Sequence, residues 1–224
     1  MSKVISIHSF RGGTGKSNIT ANVAVTIAQQ GQRVGIVDTD ITSPGIHVLF
    51  GLGEEKMDKT LNDYLWGNCA IEETAYDVSD SLKTGKSKVI PISGSIYLIP
   101  SSIKTGEIAR VLKEGYDVGQ LNDGFREITR KLNLDYLFLD THPGINEETL
   151  LSIAISDTLL VIMRPDQQDY QGTAVIVEVA GRLSIPRVLL VINKVLTELN
   201  FTEVKKQIEE TYDCQVAGVL PLSE

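Results

Sequence analysis

The chain has 224 residues, 21 Lys and Arg against 29 Asp and Glu, a formal net charge of −8, and 42% hydrophobic residues with few aromatics. That length fits one large α/β domain with a sizeable buried core. The acidic balance argues against a broad nucleic-acid footprint, which needs a basic face. Cys69 and Cys214 are isolated, with no C-x-x-C pattern, so neither a disulfide framework nor a zinc site is indicated and a reduced, cytoplasmic protein is the default.

Met1 to Ile5 runs straight into a strand, Val4 to Ile7, which leaves no room for a signal peptide. No apolar run approaches the length needed to span a bilayer. Next comes Ser9-Phe10-Arg11-Gly12-Gly13-Thr14-Gly15-Lys16-Ser17, which opens a segment of helical spacing from Ser17 to Gln30. Strand, glycine-rich turn and helix N-terminus form the setting a phosphate-binding loop requires. Gly12, Gly13 and Gly15 let backbone N–H groups around Thr14 converge on an anion, and the helix N-terminus, with Asn18 in its first turn, adds partial positive charge. Lys16 would reach the β- and γ-phosphates, and the Ser17 hydroxyl would ligate Mg²⁺. The usual G-x-x-x-x-G-K-[ST] pattern wants glycine at position 10, where this chain has Phe10.

Arg33 to Val37 is a second strand, ending in Asp38-Thr39-Asp40, and a turn at 41–45 leads into Ile46 to Leu52. Thr60 to Trp66 reads as a short helix, and 67–94 as an elaborated loop. Ser95 to Pro100 is a third strand. Helices follow at Thr105 to Lys113 and Gln120 to Leu132, then an apolar fourth strand from Leu134 to Leu139 that ends in Asp140. Asn146 is the expected N-cap of a helix reaching Ile155. Thr158 to Met163 is strand five, Asp169 to Leu183 a helix, Arg187 to Ile192 strand six, Phe201 to Tyr212 a helix, and Gln215 to Leu220 strand seven. Strands alternating with helices predict an α/β fold: a mostly parallel seven-strand sheet with helices on both faces, in one domain spanning 1–224.

Ligands of such folds bind beyond the carboxyl ends of the strands. Asp140 ends its strand in the Walker B manner, where a carboxylate can orient water on Mg²⁺. Asn193-Lys194-Val195-Leu196 stands where an N-K-x-D base-recognition motif would occur, but Leu196 replaces the aspartate that selects guanine. The Asn193 amide can still pair with adenine, so ATP is favoured over GTP.

The motifs R-G-G-T-G-K-S, V-D-T-D and D-T-H-P-G resemble the deviant Walker A loop, second motif and D-x-P-P-G switch of the MinD/ParA ATPases. Arg11 stands at that family's signature lysine and His142 at the first switch proline. The resemblance spans Val4 to Leu222. It implies that Asp40 orients the attacking water and that Asp38 supports the Mg²⁺ shell. It also implies that Gly144 approaches the γ-phosphate, that Asn193, Pro221 and Leu222 lie by the adenine, and that Arg11 crosses an ATP-dependent homodimer to the partner's phosphates. Within the family a regulatory protein partner is expected.

DNA binding would need a basic face, and Lys83, Lys86 and Lys88 read as a solvated loop cluster. Members of the family normally continue with another helix or two past the last strand, so a piece of a longer chain is expected, with any membrane anchor outside these residues. Two other classes remain open: a nucleotide-gated binding scaffold with little turnover, and a metal-cluster maturation ATPase, which in related branches carries paired cysteines. Arg164 to Tyr170 is expected at the rim of the site or the dimer face, with no chemistry assigned.

Overall fold

The computed structural model describes residues 2–80 and 92–223. Eight strands, β1 (Lys3–His8), β2 (Arg33–Asp38), β3 (Tyr76–Asp77), β4 (Ser95–Ile99), β5 (Tyr136–Asp140), β6 (Thr158–Met163), β7 (Val188–Val195) and β8 (Gln215–Pro221), form one sheet in the order β3-β4-β2-β5-β1-β6-β7-β8. The helices are α1 (Lys16–Gln29), α2 (Ile46–Leu49), α3 (Leu61–Leu65), α4 (Thr105–Glu114), α5 (Val118–Lys131), α6 (Glu147–Ala154), α7 (Gln167–Arg182) and α8 (Phe201–Tyr212). The sheet is parallel except for β3, which runs antiparallel to β4 with Tyr76 opposite Leu98. β3 is the strand beyond the expected seven. It lies in the segment read as loop, where a 3-10 helix (Ile71–Thr74) also forms. The lysines at 83, 86 and 88 lie outside the described residues.

The chain divides into two compact units. One comprises Met1–Val4 with Ser17–His142. Its strands β2 and β5 are apolar runs buried on both faces, as parallel strands covered by helices must be, and Val34, Ile36, Leu98 and Phe138 are at most 1% exposed. Register places Asp38 at the end of β2 opposite Asp140 at the end of β5, so both carboxylates emerge from the same strand ends. Gly94 enters β4 where there is no room for a side chain: a Cβ there would come within 2.8 Å of the Ala28 carbonyl oxygen. That contact is backbone and cannot swing away. Gly94→Ala is therefore expected to cost about 2–4 kcal/mol of stability, read from denaturant unfolding.

The other unit comprises Ile5–Lys16 with Pro143–Glu224. From Ile5 onward β1 pairs with β6, and β6 with β7. Ile153, Val161, Met163, Ile176, Ile192 and Ile208 belong to its buried core. Side-chain caps set the helix starts. The Asn146 Oδ1 accepts from the Thr149 N–H, and the Asp166 carboxylate accepts from the Gln168 and Asp169 N–H groups. The second cap explains why α7 begins at Gln167 rather than Asp169. β7 continues three residues beyond Ile192 through an irregularity in its pairing with β8, where Lys194 takes φ 59°.

Candidate functional site

The glycine-rich loop follows β1. Gly13 and Gly15 take φ 76° and 96°, the left-handed region that L side chains avoid. Gly15 has a second constraint, because a Cβ there would strike the Asn193 amide nitrogen. Ser9 and Thr14 are buried, and Lys16 is 8% exposed. The Thr14 Oγ1 is buried without a hydrogen-bond partner among the described residues. An unpartnered hydroxyl inside an open glycine cradle is chemically suited to a phosphate oxygen.

β7 supports this loop from its strand end. The Asn193 Nδ2 donates to the Thr14 carbonyl at 2.7 Å, while its Oδ1 accepts from the Lys194 N–H at 2.9 Å. The Lys194 Nζ donates to the Gly13 carbonyl at 2.7 Å. Thus the Asn193 amide is engaged by the loop on one side and by its own backbone on the other. Leu196 is exposed at this strand end. Pro221 pairs with Val195, and the Leu222 N–H donates to the Val195 carbonyl at 2.8 Å, so the end of β8 stands beside the end of β7. Gly144, at φ 85°, donates its N–H to the Ser9 carbonyl at 3.0 Å and so braces the loop. Gly12 lies near the switch segment, where an added Cβ would be 3.9 Å from the Pro143 ring.

Arg11 is held within its own chain. Its Nε donates to Asp169 Oδ1 at 2.7 Å and its Nη2 to both Asp166 oxygens at 2.7 and 2.8 Å, with Nη1 on the Gln168 side chain. Asp169 is 2% exposed and also accepts from the Arg164 N–H and Nε. The hydrogen bond that Arg11 donates to Asp169, followed by the charges of Asp169 and Asp166, raises the Arg11 guanidinium above its ordinary value against the effect of burial. Burial pushes the Asp166 carboxyl up, but the Asp169 N–H and then Arg11 and Arg164 outweigh it, so it lies below the usual range. The segment 164–170, which carries no motif, supplies this whole fork.

The carboxylates lie in the other unit, where Ser17 falls in the first turn of α1. Asp38 and Asp140 are each 1% exposed. Asp38 accepts the Asp40 N–H on Oδ1 and the Gly45 N–H on Oδ2, both at 3.1 Å, and its carbonyl accepts from Ser101 Oγ at 2.7 Å. Burial first, and the Asp140 charge second, push the Asp38 carboxyl up to about 8. Thr20 Oγ1 donates to Asp140 Oδ1 at 3.2 Å. Asp40 is anchored through one oxygen: Oδ1 accepts from the Ser43 N–H at 3.1 Å and Ser43 Oγ at 2.9 Å, which leaves Oδ2 outside these contacts. The His142 Nε2 stands 3.9 Å from Asp40 Oδ1.

Two buried carboxylates, of which Asp38 is pushed up by burial and by the Asp140 charge, with the Ser17 hydroxyl at the start of α1, are hard oxygen donors that suit Mg²⁺. Among the described residues no group of three or more His, Cys, Asp or Glu is placed to hold a metal unaided. No helix among these residues is long and apolar enough to cross a membrane.

A strand, a glycine loop and a helix that begins with Lys16-Ser17, with aspartates at the ends of neighbouring parallel strands, define a P-loop NTPase. Residues 1–222 match the ParA family profile, described as NUBPL iron-transfer P-loop NTPase, and the chain belongs to this family of MinD/ParA-type ATPases. It is 30% identical over 221 residues to an uncharacterised ATP-binding protein of Methanocaldococcus jannaschii, covering 99% of this chain and 75% of that one. It is also 30% identical over 167 residues to the cytosolic Fe–S cluster assembly factor CFD1 of Chaetomium globosum, covering 73% of this chain and 48% of the relative. A second Methanocaldococcus jannaschii ATP-binding protein is spanned over 64% of its length. MinD of Pyrococcus horikoshii complexed with Mg-ADP superposes with a TM-score of 0.76 at 19% identity, covering 100% of this chain and 82% of that one. At that identity the likeness speaks for the fold.

The loop brace is testable. Lys194→Met is expected to weaken ADP binding roughly 2- to 10-fold in titration calorimetry, the scale of one lost hydrogen bond. Unchanged affinity would mean that the contact to Gly13 contributes nothing to the shape of the loop.

Proposed function

We propose that the chain is one ATPase domain acting as a Mg²⁺-dependent, ATP-binding and ATP-hydrolysing dimer switch of the MinD/ParA type. Its output is the positioning, partitioning or assembly of a cellular structure through a regulatory protein partner. The observation that carries the reading is the cradle at Gly13 to Gly15, with the buried, unpartnered Thr14 hydroxyl inside it and Lys16 at its end. Lys16 and the α1 N-terminus neutralise the phosphates. When bound, Mg²⁺ supplies charge neutralisation at the β- and γ-oxygens. Ser17, Asp38 and Asp140 are the residues that would hold it, directly or through water. Asp40, fixed through Oδ1 by Ser43, presents Oδ2 to orient the attacking water. Pro221 and Leu222 border the base, Leu196 denies a guanine its acceptor, and ATP is the nucleotide.

A second reading is favoured by Arg11. To reach a partner's phosphates it must leave Asp166 and Asp169, and a chain that keeps this fork closed is a nucleotide-gated scaffold with little turnover. A third reading, cluster maturation, draws on the names of the family profile and of CFD1. Against it, Cys69 and Cys214 lie in separate units, and burial raises both thiols, chiefly through desolvation, with Asp63 and Asp213 respectively adding to the effect. Phosphate release from Mg-ATP, with Asp40→Ala as control, decides between switch and scaffold. Turnover that the control abolishes supports the switch, and ATP binding without turnover, even with a partner present, supports the scaffold.

A further inference from the structure

Phe10 stands where the usual phosphate loop has glycine, and none of the chemistry above uses it. Its ring lies against α7: a Cβ built on Gly172 would fall on the ring and 2.5 Å from the Phe10 Cβ. Gly172 is buried within a 16-residue helix. It has no left-handed φ to explain it, and glycine is a poor residue for a helix interior. The close approach of Phe10 is the reason a side chain is missing there.

The next loop residue reaches the same helix, since Arg11 is bound by Asp166, the N-cap of α7, and by Asp169 in its first turn. On the other side, the Ser9 carbonyl accepts the Gly144 N–H, and Ser9 Oγ donates to the Arg11 carbonyl at 2.8 Å. Three successive residues, Ser9 to Arg11, are thereby gripped just ahead of Gly13 and Gly15, whose φ values shape the cradle. The Asp166 Oδ1 that accepts from Arg11 also caps α7, so a displacement of the loop is felt at the helix start.

We infer that Phe10 is a positioning residue: seated on Gly172, it locks the phosphate loop to α7, so that occupancy of the loop by a nucleotide is transmitted to the first turns of that helix. This rests on the reading of the loop as the nucleotide site. The test is hydrogen exchange on the full chain with and without Mg-ADP, alongside ADP affinities by calorimetry. In the unsubstituted protein, ADP is expected to slow exchange at 167–173 as well as in the loop. Phe10→Ala keeps ADP binding and loses the protection at 167–173. Gly172→Ala, which forces the ring off the helix, weakens ADP binding roughly 10- to 100-fold. Phe10→Ala/Gly172→Ala binds as Phe10→Ala alone does, because the collision is gone.

A merely structural contact would lower the melting temperature of Gly172→Ala and leave its ADP affinity unchanged, and that result overturns the inference. So does an unsubstituted protein that binds ADP without any change at 167–173. Should Gly172→Ala fail to fold, the exchange pattern of Phe10→Ala decides alone. Failure of the unsubstituted protein to bind ADP would instead overturn the nucleotide-site reading itself.

Discussion

Arg11→Ala is expected to retain ATP binding and to lose roughly 10³- to 10⁵-fold in phosphate release, the scale of a removed arginine finger. The guanidinium keeps the charge and reach of the family's lysine and adds a planar fork of donors. In the structure that fork is occupied by Asp166 and Asp169 of its own chain. A role across a dimer therefore requires exchange of these two carboxylates for a partner's phosphates, which carry more charge. Asp169→Asn separates the two functions of the residue. If Arg11 acts in trans, weakening its local hold leaves turnover intact or raises it. If Arg11 matters only as a clamp on α7, Asp169→Asn reproduces the defect of Arg11→Ala. Normal dimerisation and normal hydrolysis by Arg11→Ala would eliminate the trans role.

Asp40→Ala is expected to lower turnover roughly 10²- to 10⁴-fold while ATP affinity stays close to that of the unsubstituted protein, the range for a group that directs proton transfer or orients a nucleophile. Geometry supports the separation of effects. The Asp40 Oδ1 accepts from Ser43 and is anchored in the turn, so Oδ2 is the atom left for water. Asp40→Asn retains one acceptor and the local packing, and it is expected to fall between the two. Steady-state phosphate release and calorimetric ATP titration on the same preparations check this. Unaltered turnover in Asp40→Ala would remove Asp40 from the chemistry and transfer attention to His142, whose Nε2 stands 3.9 Å from it.

Much of the fold was legible because its strands are short apolar runs that end in polar residues. β6 and α8 begin and end at the expected residues. β3 was not legible, since two residues cannot display a period of two, and it forms only because β4 offers an edge. The phosphate loop and the strand-end aspartates were legible because their spacing along the chain is itself the motif. The parts that hold them were not. Asp166 and Asp169 meet Arg11 across more than 150 residues, and no local pattern marks that pairing. The contact of Phe10 with Gly172 spans more than 160 residues and has no local signature either. The Asn193 brace on the loop was not legible, because its partners Thr14 and Lys194 are set by the fold and by the bend of β7, not by a local pattern.

The most direct test of the switch is size-exclusion chromatography of the chain with ATP, with ADP and without nucleotide, Mg²⁺ present throughout. The account predicts a dimer with ATP alone and a monomer in the other two conditions. A monomer under all three conditions, with ATP shown to be bound, would contradict it.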